Sequence, residues 1–337
     1  MVRRATNYVA LLDLENGAPA IEEAREAVEE AGMEEAGAIV EAFGQGQLLL
    51  GRADLQGFLE VADQAQETLA RYSSFYTANN QRNIAAVMYE LGDLEGALGR
   101  FVECRRAAEK LGQTFMVGIA TSGMALVYAT AGMYEPIQGL RAETLEVLDG
   151  PLGEFLASSS LADLGFANLL LDDPEQAATD FIQGRAASSL TQFTERPRLL
   201  GGLALALTLQ GDLDGAEGAL EEAAEFAREK SYVPYNALLQ YVEGEIQIQR
   251  DQPAEAEISL TAAHATSMET GQRLTTLQIL QARARLAMQT NNPDQASAHT
   301  LSANALVDSI AESIADDDLR GSFESKWLKT VDQTKAT

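Results

Sequence analysis

Hydrophobic residues recur along the chain at the three- and four-residue spacing of amphipathic helices, and short polar turns interrupt them. The clearest unit contains Ala85, Met88, Tyr89, Gly92, Asp93, Leu94, Ala97, Phe101 and Cys104. No sustained alternation of apolar and polar residues, the mark of a half-buried strand, is present. The pattern predicts an all-α fold built from antiparallel helical hairpins.

The polar turn returns about every 40 residues, as Gly-Asp-Leu or as Asp-Asp-Pro and similar forms. Gly92 and Gly211 can end a helix in the left-handed conformation. Asp93 can cap the helix that follows, and proline suits a first helical turn. The expected hairpin turns lie near residues 17, 53, 93, 133, 173, 212, 252 and 292.

Small residues form columns in register with these turns. Helices that pack closely need small side chains where their axes approach. The column before each turn includes Ala85, Ala125, Gly165, Ala204, Gly244 and Ala284. The column after each turn includes Ala97, Ala216, Ala256 and Ala296.

These motifs resemble the tetratricopeptide (TPR) repeat, over roughly residues 5–310. The usual unit has about 34 residues, so units of about 40 imply longer helices. HEAT-type arrays share this length, but the Gly-Asp-Leu turn favours the TPR class. The resemblance implies a right-handed α-α superhelix of about seven to eight hairpins over residues 1–303. We expect C-terminal capping helices over 304–330 and a disordered tail over 331–337.

Long units of this kind resemble the sensor arms of signal-transducing ATPases, such as maltose-type transcriptional activators and cyclase-linked regulators. The segment 306–323, which reads LVDSIAESIADDDLRGSF, is similar to the closing helices of such arms. However, the chain lacks the G-x-x-x-x-G-K-[ST] motif of an ATPase. Whether it is a stand-alone arm or part of a larger regulator stays open.

The charge balance limits the classes of binding partner that we expect. The 337-residue chain has 51 acidic and 24 basic residues, a net charge of -27. Such a surface repels phosphate backbones and anionic lipids, so neither nucleic acid nor membrane is an expected partner. The sequence shows no signal peptide and no run of 18 apolar residues, and we expect a cytoplasmic protein.

Few residues suggest chemistry. His264 and His299 lack further ligands for a metal, and Cys104 falls in a small-residue column, which favours a packing thiol. The run Asp316–Asp318 favours helix capping over a cation site. No nucleophile–base arrangement is evident, so we expect no metal, no cofactor and no catalysis.

Ligand binding is expected in the concave groove, on the first helix of each hairpin. The candidate positions are Asn79, Arg82, Tyr89, Ser122, Leu126, Phe166, Arg198, Leu205, Tyr241, Gln281 and Arg285. The three arginines could bind a carboxylate or an acidic peptide, or they could pair with neighbouring acids. The favoured function is a protein- or peptide-interaction scaffold in bacterial signalling. The alternatives are a small-ligand sensor arm and an accessory subunit of an enzyme, and the oligomeric state stays open.

Overall fold

A computed structural model describes residues 1–4, 6, 13–72, 75–150, 153–188 and 193–328. The described residues form helices and no strand. The helices are α1 Leu14–Glu30, α2 Glu34–Val40, α3 Gly46–Gly51, α4 Leu55–Tyr72, α5 Phe75–Glu90, α6 Leu94–Lys110, α7 Thr114–Ala131, α8 Ile137–Leu148, α9 Gly153–Leu170, α10 Pro174–Ser188, α11 Arg196–Gln210, α12 Leu213–Glu229, α13 Asn236–Gln249, α14 Pro253–Thr270, α15 Arg273–Gln289, α16 Pro293–Ala311 and α17 Asp317–Trp327. A π-helical turn, Glu41–Gln45, joins α2 to α3, and a 3₁₀ turn, Phe193–Glu195, precedes α11.

Successive helices pack as antiparallel hairpins that stack into a right-handed α-α superhelix of the TPR type. The first hairpin pairs α2–α3 with α4, and the last pairs α15 with α16. The first helices of the hairpins line the inner face of the superhelix. The α17 helix follows the last hairpin as a cap.

The turns inside the hairpins share one backbone conformation. At each turn one residue has a positive φ: Ala53, Gly92, Gly132, Asp172, Gly211, Asp251 and Asn291. The next helix is then capped in several hairpins. For example, the Asp93 carboxylate accepts the Gly96 N–H at 2.9 Å. The recurring polar turn therefore ends one helix and begins the next.

Small residues allow an aromatic ring to lie between neighbouring helices. The ring of Phe181 packs against Gly165 and Gly202, where an added Cβ would lie 2.6 and 2.4 Å from it. The alanines of both columns are at most 1% exposed, namely Ala85, Ala97, Ala125, Ala204, Ala216, Ala256, Ala284 and Ala296. Gly244 likewise leaves room for the side chain of Leu260.

The structure corrects one expected turn, the one near residue 17. Residue 17 lies inside α1, because Asp13 caps that helix through the Asn16 N–H at 3.2 Å and moves its start upstream. In the third hairpin α8 begins only at Ile137. The helical conformation is disfavoured for a residue that precedes proline, so the helix does not extend back to Glu135, which precedes Pro136.

The C-terminal part of the expected domain plan stays a proposal. The α16 helix runs through the proposed boundary at 303/304, and α17 lies within the proposed cap over 304–330. The expected disordered tail, 331–337, lies outside the described residues.

The C-terminal cap, α17, covers one side of the superhelix by contacting hairpins in the middle of the array. Lys326 Nζ donates to the carbonyls of Ala129, at 2.5 Å, and Leu170, at 3.0 Å, at the C-terminal ends of α7 and α9. Trp327 Nε1 donates to the Thr130 carbonyl at 2.7 Å. A positive charge there complements the negative ends of the two helix dipoles. The cap therefore joins the last hairpin to the third and fourth.

Within the part of the chain that the structure describes, one helix, α7, is long and apolar enough to cross a membrane by length and composition. In the structure 72% of its residues are buried inside the protein. Its apolar character follows from its place in the middle of the array, with α5, α6, α8, α9 and α17 packed around it.

Candidate functional site: the inner cavity

The inner face of the superhelix contains a partly open cavity of about 800 Å³, which we call the inner cavity. Side chains from α5, α7, α9, α11, α13 and α15 form its walls, and Trp327 of the cap contributes one side. Its apolar wall consists of Leu126, Phe166, Leu169, Leu170, Leu205, Leu209, Leu238, Ile248, Leu274, Met288 and Trp327. The volume lies within the range of about 300–1,000 Å³ that is typical of ligand pockets.

Polar groups interrupt this apolar wall. They include Tyr89, Glu90, Thr130, Arg198, Tyr235, Tyr241, Glu245, Gln249, Gln272, Thr275, Gln278, Arg285, Gln289 and Asn291. Tyr89 and Thr130 bond to each other through their hydroxyl oxygens at 2.9 Å. By contrast, the side chains of Tyr235 and Gln278 make no hydrogen bond within the described part of the chain. Their hydroxyl and amide groups are thus available to a ligand.

A smaller cleft of about 110 Å³, the side cleft, adjoins the inner cavity. The two spaces share Tyr89, Glu90, Leu126, Arg198, Tyr235 and Gln272. The side cleft extends toward the first hairpin, where it meets Gln47, Leu50 and Leu55.

Two arginines and two carboxylates form an ion-pair cluster at the side cleft, the arginine–carboxylate cluster. Arg198 lies 2.8 Å from Asp163 and 3.5 Å from Glu195. Arg82 lies 3.2 Å from Glu195 and donates to Ser159 Oγ at 3.0 Å. The cluster connects α5, α9 and α11 across the inner face.

Burial and charge act in opposite directions on the two carboxylates of this cluster. Burial raises the pKa of Asp163, and the neighbouring arginines offset only part of the effect. Burial also acts to raise the pKa of Glu195, but Arg82 and Arg198 outweigh it and hold that pKa below its ordinary value. Glu195 is therefore the carboxylate that the arginines stabilise most as an anion.

The third predicted arginine is also paired. Arg285 donates to Glu245 on the neighbouring first helix, and Glu245 is buried with 8% of its side chain exposed. Burial raises the pKa of the adjacent Tyr241, so its phenol stays protonated at neutral pH. Each of the three arginines thus pairs with a neighbouring acid, which is the second of the two possibilities that the sequence left open.

Seven of the eleven predicted groove residues line the inner cavity: Tyr89, Leu126, Phe166, Arg198, Leu205, Tyr241 and Arg285. Arg82 lines only the side cleft. Ser122 is buried and donates to Asp163 at 3.1 Å, so it supports the cluster from behind. Asn79 lines neither space, and Gln281 donates instead to the Trp327 carbonyl at 3.3 Å.

Sequence reasoning missed the acids that pair with the arginines. The candidate groove positions lie on the first helices alone, whereas Glu195 lies in a 3₁₀ turn that precedes its helix. Asp163 and Glu245 do lie on first helices, on α9 and α13. Their acidic side chains near the predicted arginines were the signal that could have found them.

The histidines and the cysteine lie away from the inner cavity. His264 and His299 lie on α14 and α16, and burial together with Arg283 lowers the pKa of both imidazoles. Cys104 is fully buried. Among the described residues no group of three metal-binding side chains is present.

Comparison with known proteins gives structural matches at low sequence identity. A Rap protein complexed with competence and sporulation factor aligns with a TM-score of 0.67 at 11% identity, over 93% of this chain and 98% of that one. The fold is that of a TPR-type superhelix. The Rap conjugation gene regulator of plasmid pLS20, in complex with the Phr* peptide, aligns with a TM-score of 0.65 at 12% identity, over 94% and 97%.

A third match is the apo form of the quorum sensor NprR from B. thuringiensis, with a TM-score of 0.57 at 12% identity over 90% and 87%. Neither the family models nor the curated protein sequences give a match. At these identities the matches show a shared fold over nearly the whole chain.

Proposed function

We propose that the protein is a non-catalytic, cytoplasmic regulator that binds a short peptide in the inner cavity. The observation that carries this proposal is the composition of the inner cavity, a concave space of about 800 Å³. Its apolar wall suits aliphatic or aromatic side chains. Its unpaired hydroxyl and amide groups suit the N–H and C=O groups of a peptide backbone.

The matched structures support the class of ligand. Of the structures described above, one holds competence and sporulation factor, one holds the Phr* peptide, and one is the apo form of a quorum sensor. All three cover most of this chain with the same superhelix. A bacterial regulatory role therefore fits both the cavity and the fold.

The charges at the cavity argue for a neutral or cationic peptide. The inner cavity and the side cleft together contain three arginines and four carboxylates, a formal balance of -1. Each arginine is already paired with an acid. An acidic peptide would have to displace a buried partner, which leaves a charge without compensation.

Trp327 gives a direct readout for a binding test, because it is the chain's one tryptophan and lines the inner cavity. We expect pools of short apolar peptides to change its emission in a saturable way. The variant Gln278→Phe fills part of the cavity without breaking a side-chain hydrogen bond, and it should weaken binding at least about tenfold through lost space. Titration of Trp327 emission measures the effect.

The matched control is Gln56→Phe, which places the same side chain at an exposed position of α4. It should bind as the unmodified protein does. If the two variants bind peptides equally well, or if no peptide changes the emission, binding in the inner cavity is disproved.

A small-ligand sensor, of the kind found in the arms of signal-transducing ATPases, is the second candidate. The collection of apolar and polar groups around one concave space favours it, because small-molecule sites have this composition. Native mass spectrometry of the purified protein separates the two. A co-purified molecule without amide bonds that Gln278→Phe releases would favour the sensor.

A further inference from the structure

The carboxylate of Glu90 differs from the other charged groups at the binding site. It lies at the C-terminal end of α5, where the inner cavity and the side cleft meet. Asp163, Glu195 and Glu245 each have an arginine within ion-pair distance. Glu90 has none in the described part of the chain.

The one hydrogen bond that Glu90 accepts is long. Gln272 Nε2 lies 3.4 Å from its carboxylate, and the same amide also donates to the Pro234 carbonyl at 3.2 Å. A neutral amide shared between two acceptors compensates a carboxylate poorly. Glu90 is thus the group that keeps the local balance at -1.

Resting on the proposed function, we propose that Glu90 is the anchor for a positively charged group of the ligand, an ammonium or guanidinium that enters from the inner cavity. The rest of the peptide would then lie along the apolar wall. The cation would complete a fourth ion pair and leave the site electrically balanced.

Three further observations fit this assignment. Burial raises the pKa of Glu90, and the charge of Arg198 and the Gln272 hydrogen bond offset only part of this effect. Tyr89 and Tyr235 line the same junction and can offer aromatic faces or hydroxyl oxygens to a cation. The net charge of -27 attracts cationic ligands toward the protein as a whole.

The assignment is tested with N-acetylated, C-amidated pentapeptide pools of apolar residues, each with one position fixed as lysine, arginine, glutamate or norleucine. Norleucine keeps the lysine chain but removes its charge. We expect lysine or arginine pools to bind about tenfold or more tightly than norleucine pools, because a buried charge pair is formed. Pools with a free N-terminus, and spermidine alone, show whether the cation is a side chain, a peptide amine or a free polyamine.

The variant Glu90→Gln should remove the preference, so that the lysine, arginine and norleucine pools bind with about equal affinity. The control Glu225→Gln makes the same charge change at an exposed position of α12 and should keep the preference.

Binding of cationic pools should also weaken on acidification, as Glu90 takes up a proton, and this pH dependence should be absent in Glu90→Gln. Because the pKa of Glu90 is raised in the folded state, ionisation of Glu90 lowers the stability of the wild-type protein as the pH rises above the ordinary glutamate pKa. The Glu90→Gln variant should therefore fold at least as well as the wild type at pH 7.

The outcomes separate this inference from the proposed function. A cation preference that is absent in the wild type, or that persists in Glu90→Gln, overturns the role of Glu90 while peptide binding stands. Binding of spermidine but of no peptide pool keeps the cation anchor and overturns the peptide proposal. No response to any probe overturns both.

Discussion

At the scale of single residues, charge pairing dominates the inner face. Arg198 contacts two carboxylates and also lies with its guanidinium carbon 5.1 Å from the centre of the Phe166 ring. Its side chain is only 12% exposed. Such a group stabilises the fold mainly because its removal would leave acids buried without a partner.

The substitution Arg198→Gln should therefore destabilise the protein by about 3 kcal/mol at pH 7, since Asp163 and Glu195 lose a shared cation. Urea unfolding followed by circular dichroism measures the change. The control Arg228→Gln removes an exposed arginine of α12 and should change stability by less than about 0.5 kcal/mol. Equal stabilities for the two variants would contradict the role given to the cluster.

At the scale of helices and hairpins, glycine has two opposite roles in this chain. Gly165 is buried, and its missing side chain leaves room for the Phe181 ring. Gly218 lies on the exposed face of α12, where an added Cβ would meet no atom within 4 Å. The sequence alone separates these roles, because only Gly165 falls in a small-residue column.

We expect Gly165→Ala to destabilise the protein by about 1–3 kcal/mol, because the new methyl group would lie 2.6 Å from the ring of Phe181. Gly218→Ala should stabilise it by about 1 kcal/mol through helix propensity alone. Thermal and urea unfolding of the two variants measure the difference. If both substitutions changed stability in the same direction, membership of a small-residue column would not indicate close helix packing.

At the scale of the whole molecule, the important contacts join parts that are distant in sequence. Arg82 and Glu195 are 113 residues apart, and Trp327 and Thr130 are 197 apart. The turns and the small-residue columns were predictable because neighbouring hairpins impose them locally. Closure was not predictable, because it depends on the pitch accumulated over many hairpins, which no short motif encodes. For this reason the sequence indicated seven residues of the cavity wall but not its cap or its ion pairs.

Phe323 holds the cap in place: it is fully buried, in one apolar cluster with residues of the second, third and last hairpins. The substitution Phe323→Ala should release α17, shift the Trp327 emission to longer wavelength and raise amide exchange at the C-terminal ends of α7 and α9. The first hairpin should be unaffected. Hydrogen-exchange mass spectrometry measures this pattern.

The control for this substitution is Gly321→Ala, on the exposed face of the same helix, where an added Cβ meets no atom within 4 Å. It should leave both the emission and the exchange pattern unchanged. If Phe323→Ala instead raised amide exchange equally in all hairpins, the cap would not open independently of the rest of the superhelix.

The burial of Cys104 has a practical consequence for experiments on this protein. Its thiol is 0% exposed, and burial raises its pKa to about 12, so it is neutral and inaccessible at the pH used for maleimide coupling. A cysteine introduced on a hairpin turn can therefore be labelled selectively in the native chain. Pairs of such labels would allow single-molecule energy transfer to follow the pitch of the superhelix with the natural cysteine left in place.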